Sequence, residues 1–260
     1  MKPEPSLIQT NLLLLALSGC AASAPPAVES GGGEPAASAG AEPASGAETA
    51  ATQAPAPDTA AHMRVSFWSA IGARDALIQG DLEGAKRFSD GLSKQDFSAL
   101  PGNWKRQAGE MQKHASEAAM AGDIAEAADS VARVAVACGR CHQQQSTDGG
   151  KVLAASRPTA GTETVARRMA RHEAAADDLW VGLVAPSDEA WKQGALTLRD
   201  LSPEPPTEGD QSVDTNFTAE LNAIKALGLR ALSAASIEER AQLYADYLER
   251  CASCHSVARR

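Results

Sequence analysis

The chain is poor in aromatic residues and in runs of β-branched residues. Only 4% of its 260 residues are Phe, Trp or Tyr. Strands are enriched in these residue types, so their scarcity disfavours a protein built on β-sheets. Alanine and other strong helix formers dominate the chain after residue 60. The composition therefore predicts an all-α protein.

Positive charge is also scarce. The formal net charge is −9, and no cluster of Lys and Arg is present that could neutralise phosphates. A nucleic-acid partner is therefore not expected. The acidic residues of the folded part predict a solvated surface, and docking of a basic redox partner protein is the alternative.

The N-terminus lacks an apolar run long enough to span a bilayer. Lys2 precedes a short apolar stretch, Leu12 to Leu17, which ends in Leu17-Ser18-Gly19-Cys20. This pattern predicts a signal peptide over residues 1–19 and export to the periplasmic face of a bacterial membrane. The last four residues resemble a bacterial lipobox, which implies lipidation of Cys20 and a membrane anchor. The alternative is an ordinary secretory signal with an incidental cysteine.

Residues 20–61 are predicted to be a flexible tether. Between residues 21 and 61, Val28 is the only large aliphatic residue, and neither Lys nor Arg occurs. Such a segment cannot bury enough apolar surface to offset its ordering entropy. By resemblance to Gram-negative lipoproteins, Ala21 rather than Asp after the lipidated cysteine would permit transfer to the outer membrane.

The rest of the chain contains an internal repeat. An offset of 106 residues matches Met63 with Met169, and an offset of 113 matches Asn103 with Asn216. A Pro-rich loop, 202–214, absorbs the difference between the two offsets. A repeat of this period predicts two copies of one domain. We expect these at residues 62–145 and 162–260, joined by a linker over residues 146–161.

Each copy divides into four predicted helices. In the first copy the breakers are Gly80-Asp81, Leu100-Pro101-Gly102 and Gly122-Asp123. Asp123-x-x-Glu126 and Ser236-x-x-Glu239 predict capping boxes at the start of the last helix of each copy. After them, apolar residues recur at intervals of four and three, which predicts one buried helix face. The expected architecture is two tandem four-helix bundles.

Two identical C-x-x-C-H strings lie at the ends of these last helices. They are Cys138, Cys141 and His142 in the first copy, and Cys251, Cys254 and His255 in the second. Cysteines at i and i+3 share a helix face, so both can form thioethers with one porphyrin while the adjacent histidine ligates iron. The strings therefore predict two covalently attached haem c groups.

Three other roles for the strings are less consistent with their positions. A structural zinc site typically has its C-x-x-C pairs about 15–20 residues apart, rather than 113. A thioredoxin-like redox pair belongs in a βαβ unit. A plain disulfide is conceivable after export but leaves both histidines without a role.

A four-helix bundle with C-x-x-C-H near its C-terminus resembles the class II c-type cytochromes, which are cytochrome c-prime and its low-spin, Met-ligated relatives. The resemblance covers residues 62–145 and 165–258. It rests on the position of the motif and the number of helices, because most surface positions carry no family signal.

The resemblance to the low-spin relatives implies Met63 and Met169 as sixth ligands, since helix one of such a bundle starts beside the end of helix four. The alternative is that each methionine fills a gap in the core. His172 lies one turn after Met169 and is an alternative ligand, whereas its counterpart in the first copy is Ser66. His62, beside Met63, is a further alternative.

Other histidine and tryptophan residues are expected to have structural roles. His114 is predicted to be an exposed polar residue. The four tryptophans are predicted to lie in the core or to pack against a haem edge: Trp68, Trp104, Trp180 and Trp191.

The expected function is one-electron transfer by a lipid-anchored dihaem cytochrome, and not enzymatic catalysis, since no acid–base pair beside the haem is evident in the sequence. One rival is binding of small gases at a five-coordinate haem, as in cytochrome c-prime. The other is a dihaem peroxidase, although those enzymes have a different fold.

Overall fold

The computed structural model describes residues 57–145, 165–201 and 211–258. These residues form eight helices and, within the described ranges, no strand, which confirms the predicted all-α class. The helices are α1 (Pro57–Ile78), α2 (Leu82–Ser93), α3 (Gly102–Met120), α4 (Ile124–Gln144), α5 (Val165–Val184), α6 (Asp188–Arg199), α7 (Gln211–Ala231) and α8 (Ile237–Ala258).

The predicted breakers lie between helices, except that Gly102 is the first residue of α3. Gly80 adopts a positive φ of 68° after α1, and the Asp81 carboxylate accepts a hydrogen bond from Gly84 N at 2.8 Å at the start of α2. Such a turn favours glycine because other side chains rarely adopt positive φ. Pro101 precedes α3, and Asp123 caps α4.

Two helices start earlier than expected. Helix α1 begins at Pro57, so residues 57–61 are helical although they were assigned to the tether. Proline suits a first helical position because it has no N–H to leave unbonded and its φ is already helical. Helix α7 begins at Gln211, inside the Pro-rich loop expected over residues 202–214.

All the described residues fall in one compact unit, which spans residues 51–260. Consecutive helices pack within each half of the repeat, and α4 packs extensively against α8 of the other half. Helices α1 and α8 also pack together, as do α4 and α5. The two halves therefore lie against each other through the helices that carry the C-x-x-C-H strings. That each half is a four-helix bundle in its own right stays a prediction.

The helix faces in these contacts are lined largely by small side chains. Helix α4 buries a series of alanines, and α8 buries its predicted face from Ala241 through Tyr244 and Leu248 to Cys251. Small residues let helix axes approach closely. No helix of the described residues is both long and apolar enough to cross a membrane.

Several predictions concern residues outside the described ranges. They are the signal peptide over residues 1–19, lipidation of Cys20, most of the tether and the linker over residues 146–161.

Candidate cofactor-binding sites

The first C-x-x-C-H string lines an apolar pocket between α1, α3 and α4. Cys138, Cys141 and His142 share this pocket with Met63 of α1 and Trp104 of α3. Further apolar walls come from Phe67, Ala70, Leu100, Ala108 and Met111. The structure therefore brings the predicted proximal and distal residues of the first half together in one place.

The second string lines an equivalent pocket in the other half. Cys251, Cys254 and His255 share it with Met169 and with His172 on α5. Both candidate sixth ligands of this half thus border the same space as the attachment residues.

The two pockets differ in size. The second encloses about 410 Å³, which lies within the range of about 300–1,000 Å³ for small-molecule sites. The first encloses about 70 Å³. Its apolar walls, which include Phe67 and Met111, would have to move apart to accept a cofactor of the same size.

Each pocket is completed by a helix from the other half. Trp180 and Val184 of α5 line the first pocket, and Arg74 and Ile78 of α1 line the second. Residues 74 and 180 are separated by the repeat offset of 106, as are residues 78 and 184. The exchange is therefore reciprocal, and sequence reasoning missed it because a repeat does not reveal how its copies pack.

His142 is oriented by such a contact. Its Nδ1 lies 2.6 Å from the backbone oxygen of Val184, the last residue of α5. A carbonyl can only accept a hydrogen bond, so Nδ1 carries the proton and Nε2 keeps the lone pair that binds a metal. Burial lowers the pKa of His142, although the bond to Val184 opposes this effect. A neutral imidazole of this tautomer suits an iron ligand.

The four cysteines are free thiols rather than disulfides. Burial raises the pKa of Cys138 to about 12 and that of Cys251 to about 12. Burial also raises the pKa values of Cys141 and Cys254. All four are therefore protonated near neutral pH, unlike the thiolates of reactive or metal-binding cysteines.

The donor set fits a covalently attached porphyrin in its chemistry. Each pocket offers two thiols one helical turn apart and the imidazole that follows them. The first pocket has a mostly apolar lining, whereas His172 and the charged residues Asp75 and Glu173 also line the second. In the part of the chain that the structure describes, no three His, Cys, Asp or Glu side chains are grouped to hold a metal ion directly. Haem iron needs only axial ligands from the protein, because the porphyrin supplies the other four.

The remaining histidines lie apart from the first pocket's lining. His62 packs edge-on against Phe97, with ring centroids 5.2 Å apart. His114 was predicted to be exposed, but its side chain is only 15% exposed. Its Nδ1 lies 2.7 Å from Oε2 of Glu117. The Glu117 carboxylate, one helical turn along α3, therefore provides a polar partner for the partly buried ring of His114.

The four tryptophans differ in burial, although all were predicted to lie in the core or against a haem edge. Trp68 is 65% exposed, so its assignment to the core was wrong, and its packing against a haem edge stays a prediction. Trp191 is buried, and its indole N–H donates to the Ala231 carbonyl at 2.8 Å. Trp104 is partly buried at the edge of the core, as is its counterpart Phe217.

Three fully buried rings connect the two pockets. Trp180 lines the first pocket, and Tyr247 lines the second. Tyr244 lies between them, with its ring centroid 5.9 Å from Trp180 and 6.1 Å from Tyr247. The hydroxyl of Tyr247 donates to the backbone oxygen of His172 at 3.0 Å, which ties α8 to α5 beside the second pocket.

Comparison of the chain with protein-family models, with curated proteins and with solved structures gives no match. The resemblance to class II cytochromes therefore rests on the residues alone.

Proposed function

We propose that this chain is a dihaem c-type cytochrome that transfers single electrons, built as two tandem four-helix bundles of the class II type. One observation carries the proposal. In each half, two cysteines, the histidine that follows them and a methionine of the first helix line a common pocket. The same set of four residues, two Cys, one His and one Met, meets twice, at equivalent positions of the repeat.

The pocket residues have distinct roles in this proposal. Cys138 and Cys141 would hold the first haem by thioethers, with His142 as the proximal ligand. Cys251, Cys254 and His255 would do the same in the second half. When bound, haem iron supplies a one-electron couple.

The chain tunes this couple through its surroundings. Apolar side chains around the first pocket limit the access of water, whereas the charged residues Arg74, Asp75 and Glu173 line the second. Solvent access and nearby charge are both determinants of the reduction potential. A methionine as the sixth ligand would raise the potential and close the iron to external ligands. Met63 and Met169, which line the pockets, are the candidates for this role.

The proposed setting follows from the N-terminal sequence. Signal cleavage before Cys20 and its lipidation would anchor the protein at the periplasmic face of a membrane, with the tether separating anchor and haems. Its partners would be redox proteins that exchange electrons at this surface.

The central test counts haems and detects lipid on the same sample. The full chain is produced in a host that assembles c-type cytochromes, and a pyridine haemochrome assay is combined with intact mass. We expect two haems per chain and a lipidated N-terminus at Cys20. The matched variant Cys138→Ala/Cys141→Ala should retain one haem. A colourless protein with the mass of its amino acids plus lipid would disprove the proposal.

Carbon monoxide separates electron transfer from gas binding. A six-coordinate haem with histidine and methionine ligands should change its absorption little when carbon monoxide is added. A large, immediate change at both haems would instead support a five-coordinate haem protein.

A further inference from the structure

The end of α5 approaches α4 unusually closely beside the first pocket. A Cβ atom at Gly139 would lie 2.1 Å from the backbone oxygen of Leu183 and 3.2 Å from Cγ of Pro186. Real Cβ atoms do not come so close to a backbone atom, so any larger residue would push α5 away. Gly139 is therefore required for the observed distance between the two helices.

Helix propensity gives no other reason for glycine at this position. Gly139 lies inside α4, where glycine is less favourable than alanine by about 1 kcal/mol. The counterpart of Gly139 in the second half is Ala252, which is buried in α8. The two halves thus differ at the first of the two residues between the cysteines of each string.

Because the two helices are so close, a carbonyl group of α5 can accept a hydrogen bond from His142, the proposed proximal ligand of the first haem. Val184 directly follows Leu183, and its carbonyl oxygen accepts the Nδ1 proton of His142 at 2.6 Å. The last four carbonyls of a helix have no partner within the helix, so the end of α5 has acceptors to offer. The bond therefore crosses from one half of the repeat to the other.

We propose that Gly139 is a positioning residue through which the second half of the chain sets the reduction potential of the first haem. This inference rests on the proposed function. A carbonyl partner on Nδ1 makes the imidazole a more basic iron ligand. A more basic ligand favours the oxidised iron, so the cross-half bond lowers the potential of the first haem.

The test uses a full chain that holds only the first haem, made with Cys251→Ala/Cys254→Ala. Gly139→Ala in this background should raise the midpoint potential by about 59 mV, which corresponds to a tenfold change in the one-electron equilibrium. Tenfold is the lower end of the loss of about 10–100-fold in metal affinity or activity that mutation of such histidine partners usually causes. Spectroelectrochemical titration measures the change.

Two controls separate this effect from a general loss of structure. In the reciprocal chain, with Cys138→Ala/Cys141→Ala, Gly139→Ala should leave the potential of the second haem unchanged. Ala252→Gly, the reverse exchange at the matched position, should leave the first haem unchanged. An unshifted first haem, or equal shifts of both haems, would overturn the inference while leaving the proposed function intact.

The Gly139→Ala variant could fail to fold, so a second measurement uses the chain with Gly139 intact. In the reduced one-haem chain with ¹⁵N-labelled histidine, the Nδ1 proton of His142 should exchange slowly with D₂O because it is hydrogen-bonded. Exchange as fast as that of a solvated imidazole would overturn the inference. Absence of haem from every chain would instead contradict the proposed function.

Discussion

At the scale of single residues, the two pockets have the same cysteines and histidine for haem attachment. They differ in the residue that lies one helical turn after the methionine of the first helix. Ser66 is buried beside Met63, and its hydroxyl lies 3.1 Å from the backbone oxygen of His62. The corresponding residue beside Met169 is His172, which lines the second pocket. Among the described residues that line the pockets, only the second set therefore contains a histidine one turn after the methionine of the first helix.

The first prediction concerns Met63. Met63→Leu removes the sulfur and nearly conserves volume, so the fold should lose less than about 1.5 kcal/mol. We expect the visible and near-infrared bands of methionine ligation to disappear from the first haem, and carbon monoxide to bind there. Met111→Leu is the control, because Met111 lines the same pocket but contacts Cys138, at 3.8 Å between sulfurs. Spectra that are unchanged in Met63→Leu would remove this residue from the ligand set.

The second prediction concerns the choice between Met169 and His172. We expect Met169→Leu to open the sixth position of the second haem and His172→Leu to leave it six-coordinate. Spectra and carbon monoxide binding of the chain that holds only the second haem report the outcome. The reverse result would assign the ligand to the imidazole and predict a lower potential for this haem, since bis-histidine ligation lowers it relative to His/Met.

At the scale of helices, α4 and α8 begin in the same way. The carboxylate of Asp123 accepts from Glu126 N at 2.9 Å, and the Ser236 hydroxyl accepts from Glu239 N at 3.1 Å. The two glutamates accept in return from the N–H of the residue before the cap, Gly122 or Ala235. The predicted boxes are confirmed, with the return bond shifted by one residue.

The third prediction is that both caps stabilise the helices that carry the C-x-x-C-H strings. Asp123→Ala and Ser236→Ala should each lower the free energy of unfolding by about 1 kcal/mol, because a helix N–H loses its acceptor. Urea denaturation followed by circular dichroism measures the change. Lys113→Ala, at an exposed position inside α3, should stay within about 0.5 kcal/mol. Equal stability of the cap variants and this control would contradict the role of the caps.

At the scale of the whole molecule, a buried cation joins the two halves. Arg74 of α1 is 5% exposed, and its Nη1 lies 2.8 Å from Oδ1 of Asp177 on α5. Its guanidinium also lies over the Trp180 ring, 5.7 Å from the centroid. Because Arg74 and Trp180 are repeat counterparts, equivalent positions contact each other across the interface.

The fourth prediction is that Arg74→Met lowers the free energy of unfolding by about 2 kcal/mol, as expected for loss of its ion pair with Asp177 and of its hydrogen bond to Asp75 on the same helix. The loss should stay below the cost of about 3–5 kcal/mol for breaking a fully buried pair, since Asp177 is partly exposed and can be hydrated. Lys94→Met, which removes an exposed pair with Asp90, should cost less than about 0.5 kcal/mol. Similar losses in both variants would show that Arg74 does not join the halves.

The fifth prediction is that the two halves unfold together. The interface contains α4 against α8 and the contacts of Arg74 with Asp177 and Trp180. Separating the halves would expose these groups, so neither half should persist alone. Soret absorbance and far-UV circular dichroism should therefore report one coincident transition. Two separated transitions would show that the halves are independently stable.

Much of the local structure could be predicted because its causes are local. Gly80-Asp81 ends one helix and caps the next through bonds within a few residues, and the spacing of apolar residues marks the buried face of α4. The boundaries at Pro57 and Gln211 were missed because tether-like composition extends into the first turns of α1 and α7. Trp68 was misplaced because aromatic character alone does not show which helix face is covered.

The sequence by itself determined which side chains of each half could act together, since cysteines at i and i+3 followed by histidine share one end of a helix whatever surrounds it. Only the tertiary structure decided what completes each pocket. The bond from His142 to Val184 and the entry of Arg74 into the second pocket join residues about 40 to 180 positions apart. Such contacts depend on how two helix faces pack, and in this chain the space for that packing depends on a glycine at position 139.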